Sequence, residues 1–390
     1  MPANRVGNLR LWRTSALATL AVVAVAGWLA ATSVSAQPAQ SEAPDGTVPG
    51  AGESATPPSV DLSERKQLVI VGSTSMEPIT DAVIEHLIRD YVMPQPTKRF
   101  FGTRAGLTAF CAGVGAQYPD IAAASDRMGR GEFEECVKNN VLDVIEVAIG
   151  QGAVVAVTKK GNPVFNLTPR MVYYAIAEDV PIKGDFAANP NKSWKETDKA
   201  APDLPIRMII PAKGSGTRDF FDDNFMQGGC RHVKEIDAIF AAAERVPRCI
   251  TLRDDGRVTE LAEPFEKKAL DAIAASPPGT VAVIPWVVYL ANQDKVAALP
   301  IDGVLPTHQS IENYDFPMAT TLRYYFKRAN MRNDAGRGVV RGIREFMAEI
   351  IKDQASGEGG YFEKLGVVAL GPDDRRKQSE IVRRLERYAP

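Results

Sequence analysis

Short apolar runs recur along the chain at Leu68-Val69-Ile70-Val71, Ile121-Ala122-Ala123-Ala124, Ile206 to Ile210 and Val281-Ala282-Val283-Ile284. Each is too short to be a helix and is bounded by small or turn-forming residues, so each reads as a strand buried on both faces. The stretch after the first, Pro78 to Tyr91, carries Ile79, Val83, Leu87 and Ile88 at helical spacing. Strands alternating with such helices build a mostly parallel sheet covered on both faces, which is an α/β fold. Further strands are expected at Arg99-Phe100-Phe101, Val144 to Ile149 and Ala153 to Thr158. Helices are expected from Leu107, over Ala262 to Ala275, over Arg341 to Ile351, and in a charged tail from Asp373. Thr168 followed by Pro169 reads as an N-cap with proline at the first helical position.

The N-terminus is read separately from this pattern. Arg5, Arg10 and Arg13 precede an apolar stretch from Ala16 to Ala31, and Val34-Ser35-Ala36 offers small residues at a cleavage spacing. Residues 1–36 are therefore expected to be a cleaved signal peptide, the alternative being a retained membrane anchor. Residues 37–61 are dominated by Pro, Ala, Gly, Ser, Glu and Thr, too little apolar surface to order themselves, and read as a flexible leader. The remaining ~330 residues exceed one small core and suit two α/β lobes. The expected division is 62–157 plus 285–390 for the first lobe and 158–284 for the second. A chain that leaves one lobe and returns to it crosses twice, which makes a two-strand hinge with a cleft at the carboxyl ends of the strands.

Charge and cysteine content narrow the function classes. The chain has 46 basic and 48 acidic side chains. Removing the three leader arginines leaves 43 against 48, a net charge of −5. Such mild acidity gives no support for nucleic-acid binding, and any anion site must work through local donors. Cys111, Cys136, Cys230 and Cys249 all fall in the exported part, where disulfides are favoured. Of three connectivities, the short-loop pairing Cys111–Cys136 and Cys230–Cys249 is chosen. The cysteine spacings and the three histidines, His86, His232 and His308, do not resemble a zinc site, and no cofactor is expected.

Two loops share one kind of chemistry. Gly72-Ser73-Thr74-Ser75-Met76-Glu77-Pro78 follows the first strand, and Lys213-Gly214-Ser215-Gly216-Thr217-Arg218 follows the strand ending at Ile210-Pro211. Strand, hydroxyl-rich loop and helix start is the arrangement that aims free N–H groups and hydroxyls at an anion. Thr103-Arg104-Ala105-Gly106 adds a hydroxyl and a guanidinium, and Ser125-Asp126-Arg127 ends a buried strand. Asp126 stands apart because it can only accept. An anion that still carries a proton can donate to it, whereas sulfate would leave the carboxylate unpaired at a cost of about 1–3 kcal/mol. Phosphate, with its second pKa near neutrality, meets that condition. The plain alternative for Asp126 is an N-cap or an ion pair with Arg127.

In that order, the motifs Gly72 to Pro78, Gly102 to Gly106, Asp120 to Arg127 and Gly214-Ser215-Gly216-Thr217-Arg218-Asp219-Phe220-Phe221 resemble the periplasmic phosphate-binding proteins of high-affinity phosphate ABC transporters. Leu167-Thr168, Trp194 and Pro278-Gly279-Thr280 are weaker matches, and the resemblance runs from about Leu68 to Ile351. It implies a two-lobe periplasmic binding protein fold of type II, with inorganic phosphate held between the lobes by hydrogen bonds alone. It also implies a periplasmic, monomeric receptor that delivers its ligand to a membrane ABC permease. The matching positions are Ser75 with the backbone of Met76, Thr103, Ser125, Asp126, and Ser215, Gly216 and Thr217. The family often has an arginine where this chain has Pro211, so the cationic contact is expected to pass to Arg218, with Lys213 and Arg104 as alternatives.

Competing readings are a receptor for another tetrahedral oxyanion (sulfate, molybdate or phosphonate) and a secreted phosphatase or serine hydrolase using Ser215. A hydrolase needs a base beside its nucleophile, and the histidines stand in no recognisable catalytic motif. No enzymatic activity is expected.

Overall fold

Val144–Lys159 is a single strand of 16 residues with apolar side chains on both faces, and the rest of the sheet is assembled on it. The computed structural model describes residues 63–390 except 232, 240, 263, 264 and 334. The expected signal peptide and leader, and His232, lie outside the described residues. The strands are β1 (Val69–Gly72), β2 (Thr97–Phe100), β3 (Ile121–Ala124), β4 (Val144–Lys159), β5 (Asp179–Ile182) and β6 (Asp185–Ala188). They continue with β7 (Arg207–Pro211), β8 (Val258–Leu261), β9 (Thr280–Pro285), β10 (Val296–Ala298) and β11 (Ala319–Lys327). A nine-stranded sheet runs β2-β1-β3-β11-β4-β9-β7-β8, with β10 added on β4, while β5 and β6 form a separate hairpin.

The sheet is mixed, which corrects the mostly parallel expectation. β1 is parallel to β2 and β3, and β7 is parallel to β8 and β9. Between these groups β11 and β4 run antiparallel to each other and to their outer neighbours β3 and β9. The two strands expected at Val144 to Ile149 and Ala153 to Thr158 are one strand, because β11 pairs with β4 straight through Gly150-Gln151-Gly152. The irregularity at the glycines is absorbed by a register shift between Leu322 and Arg323. Gly150 has φ +155°, and a Cβ there would lie 2.2 Å from a Val367 methyl, so only glycine fits.

Two cores form on this sheet, the first with a further cluster on the other face of its strands. The first takes Ile70, Val83, Leu87, Val147, Tyr324 and Phe346 from β1, β4, β11 and the helices Glu77–Tyr91 and Ile343–Ile350. On the opposite face of the same strands, Val71, Leu107, Phe110 and Tyr325 pack with the Cys111–Cys136 disulfide. The second core takes Val155, Val172, Trp194, Ile210, Phe221 and Val283. It also takes Ile301, Phe316 and Met318, which the expected division assigns to the first lobe. These residues lie before β11 has crossed, so they stay with the second core.

Several local expectations hold. Thr168 Oγ1 accepts the N–H of Met171 at 3.1 Å and starts Pro169–Ile176. Trp194 is buried and donates its indole N–H to the Gly279 carbonyl at 2.7 Å. The charged tail forms Pro372–Arg384, and beyond it Tyr388 folds back to donate to the Met128 carbonyl at 2.6 Å. Among the described residues, no helix is long and apolar enough to cross a membrane.

Cys111 pairs with Cys136 and Cys230 with Cys249, the connectivity expected from the spacings. Non-reducing peptide mapping should recover both linked pairs. The first bond closes a separation of 25 residues, so replacing both its cysteines by alanine is expected to cost about 3–4 kcal/mol in denaturant unfolding.

Candidate anion site

β1 and β3 lie side by side, with Gly72 opposite Ala123, so the segments after them emerge together at one edge of the sheet. The Ser73 N–H donates to the Ala123 carbonyl at 2.9 Å, which fixes the first loop against β3. The loop makes one tight turn, Thr74–Met76, and enters the helix Glu77–Tyr91. Thr103 arrives next to it as the first residue of the helix Thr103–Phe110. Four hydroxyls consequently form a chain. Ser73 Oγ lies 2.9 Å from Ser75 Oγ and 3.0 Å from Ser125 Oγ, and Thr103 Oγ1 lies 3.0 Å from Ser125 Oγ. Ser73, Thr103 and Ser125 are buried. Thr320 of β11 donates its hydroxyl to the Ser125 carbonyl at 2.7 Å and so ties the cluster to a crossing strand.

The second lobe brings a helix start to this cluster. Ser215 accepts the N–H of Arg218 at 3.1 Å and caps the helix Gly216–Phe221. The Gly216 N–H donates to Thr74 Oγ1 at 3.2 Å, a hydrogen bond between the lobes. A Cβ on residue 216 would lie 2.1 Å from Ser73 Oγ, so the close approach requires glycine. The positive end of the helix dipole therefore faces the hydroxyl chain. Ser75, Ser125, Gly216, Thr217 and Thr320 contribute to the wall of a cavity of about 70 Å³ between the lobes. A smaller cavity of about 30 Å³ adjoins it, with Thr103, Arg104, Asp126, Asp219 and Asp223 in its wall.

Six of the expected residues, Ser75, Thr103, Ser125, Ser215, Gly216 and Thr217, converge here, although the Ser215 hydroxyl is engaged in its cap. Met76 does not offer its N–H. That group donates to the Ser73 carbonyl at 3.0 Å inside the turn, and the side chain is buried in the first core. Arg218 is also occupied elsewhere. Its guanidinium, 1% exposed, bonds Asp222 at 2.8 Å, the Pro211 carbonyl at 3.0 Å and Glu260, and it lines neither cavity. A buried guanidinium needs acceptors, and Asp222, Pro211 and β8 supply them for Nε and Nη1, while Nη2 is buried without a partner. Arg104 is exposed and bridges Glu132 at 3.1 Å to Asp223 on the second lobe. Asp126 is exposed, and its carboxylate accepts the Arg127 N–H at 2.7 Å.

The sequence reading did not single out Thr320, Asp219 or Asp223. Thr320 carries no local signal, since only the pairing of β11 with β3 and β4 brings it to the cluster. Asp219 and Asp223 were detectable, being four residues apart on the helix after the Gly-Ser-Gly-Thr motif. Burial raises the Asp219 carboxyl above the usual range against the pull of Arg104, and burial pushes Asp222 up to about 6 despite Arg218.

A family model described as a PBP superfamily domain matches residues 41–354, and the chain belongs to that family. SphX of Synechococcus elongatus is 31% identical over 167 residues, a match spanning 43% of this chain and only 46% of that protein. The phosphate-binding protein PstS of Staphylococcus epidermidis is 22% identical over 299 residues, covering 74% of this chain and 76% of that protein. In fold, the chain is similar to an ABC-type phosphate transport receptor from Vibrio cholerae, with TM-score 0.54 and 16% identity over 78% of this chain and 100% of that one. The fold is thus the two-lobe α/β fold of type II, with β4 and β11 as its crossing strands.

Arg218 provides the sharpest test of how the site is supported. Asp222 has a folded pKa near 6, above its unfolded value, so the stability it contributes is present at low pH and lost as the pH rises through 6. Removing the guanidinium pushes that carboxyl still higher. Arg218→Ala should therefore destabilise by about 3–5 kcal/mol at pH 8 and by clearly less at pH 5. Unfolding curves at the two pH values check this, and an equal deficit at both would contradict the pairing.

Proposed function

We propose that this chain is an exported receptor that captures inorganic phosphate by lobe closure and delivers it to a membrane ABC permease, performing no chemistry itself. The observation that carries the reading is the hydroxyl chain Ser75-Ser73-Ser125-Thr103 set against the N-terminal end of the helix at Gly216. The family assignment and the names of the relatives support it. A hydroxyl both donates and accepts, so the cluster satisfies itself when empty and can turn its protons toward an anion when one enters. Ser75, Thr103, Ser125 and Thr217 are the proposed hydroxyl donors, Gly216 the proposed backbone donor once its N–H exchanges Thr74 Oγ1 for the anion, and Arg104 the proposed cation at the rim. Ser215 holds the helix start in place. Asp126 is the proposed acceptor for the proton that phosphate retains. The lobes are proposed to hinge where β4 passes Gly150 to Ala153 and β11 passes Ala319 to Leu322.

Phosphate should stabilise the purified chain, by about 2.7 kcal/mol at a hundred times the dissociation constant. Sulfate at the same concentration should shift the melting temperature little. Asp126→Asn is expected to narrow the phosphate-to-sulfate affinity ratio more than it weakens phosphate, as read by calorimetry. An unchanged ratio would reduce Asp126 to a local cap. Gly216→Ala should weaken phosphate at least tenfold while leaving the melting temperature of the empty protein nearly unchanged, because the added methyl holds the lobes apart without entering either core.

A further inference from the structure

The cavity beside the hydroxyl chain has two unlike ends. Ser75, Ser125, Gly216 and Thr217 form the polar end. Ile79, Val154, Phe220, Trp286, Leu322 and Val367 form the other, on the crossing strands or on elements packed against them. Trp286, Phe220, Val154 and Leu322 are only 5%, 6%, 7% and 7% exposed, so most of the apolar wall is buried, while Val287, which also lines it, is 37% exposed. Inorganic phosphate presents oxygen in every direction. An oxygen turned toward these walls loses its hydration and meets no donor there. A carbon substituent in the same place loses nothing and gains burial.

We propose, building on the phosphate reading above, that the site also takes a monosubstituted phosphorus oxyanion, R–PO₃, with its three oxygens on the hydroxyl end and a short alkyl group in the apolar end. The cavity of about 70 Å³ is several times the roughly 10–15 Å³ that one water-sized group needs. It therefore has room for a substituent of a few carbons. Each buried carbon should tighten binding about fourfold, the equivalent of about 0.8 kcal/mol.

The test is calorimetry of the purified protein, stripped of carried-over anion, with phosphate, methylphosphonate, ethylphosphonate, propylphosphonate and ethyl phosphate. The expected result is a stepwise gain of about fourfold per carbon from methyl to propyl. Binding of phosphate with phosphonates that fail to bind, or weaken with each carbon, overturns the inference and leaves the phosphate reading intact. If none of the five binds, both fall. Ethyl phosphate matching ethylphosphonate supports the shared R–PO₃ chemistry, and ethylphosphonate binding alone assigns the site to a carbon–phosphorus ligand. Leu365, at the end of the short helix Glu363–Leu365, also lines the apolar end. Leu365→Trp should abolish the gain with chain length without abolishing phosphate binding. Persistence of the gain in a folded variant would place the alkyl group elsewhere and overturn the proposal.

Discussion

One strand serving two cores is the constraint on which the rest of this structure depends. β4 gives Ile145 and Val147 to one core and Val155 and Val157 to the other, so neither core can be repacked without moving the other's strand. The junction is fixed by backbone pairing: Gln151 and Val368 exchange hydrogen bonds at 2.7 and 2.8 Å. The Gln151 amide also donates to the Glu312 carbonyl at 3.0 Å. For the lobe closure proposed above, a join of this kind bends about a line and does not swing freely, bringing the same loops together.

The loops it brings together are economical in charge. Serine and threonine hydroxyls can exchange hydrogen bonds with one another when no ligand is present, so the empty site leaves few buried groups unpaired. Fixed cations would not have that option. Among the described residues nearby, Arg218 is a deeply buried guanidinium whose Nε and Nη1 are matched by Asp222, Glu260 and a carbonyl, while its Nη2 has no partner. It braces the helix start that carries Gly216 and Thr217.

Much of this was legible along the chain because it is local. The β/α alternation, the Thr168 cap, both disulfides and the hydroxyl loops depend on residues close in sequence, where spacing carries the physics. What was not legible depends on distant pairing. Gly150-Gln151-Gly152 has the composition of a break between strands and becomes the middle of β4 only because β11 pairs across it. Thr320 enters the site for the same reason. Met76 and Arg218 were misplaced for a different one. Their neighbours in sequence suggested free donors, but Met76 spends its N–H inside a turn and Arg218 answers to carboxylates, one of them on β8. Residue type indicates what a group can bond, while tertiary context decides what it has already bonded.

Charge at the rim follows from the same accounting. The wall of the smaller cavity carries Asp126, Glu132, Asp219 and Asp223 with Arg104 and Arg127, four carboxyl groups to two guanidinium groups. Arg104 pairs directly with Glu132 and Asp223, and Arg127 with Glu146, so neither guanidinium makes an ion pair with Asp126 or Asp219. A fully ionised dianion entering there meets repulsion that the hydroxyls do not screen. A ligand that carries a proton avoids part of that cost, and so does protonation of Asp219, whose carboxyl burial already raises. In the proposed phosphate reading, preference for a protonated oxyanion rests on the balance of the whole rim, with Asp126 as one contributor.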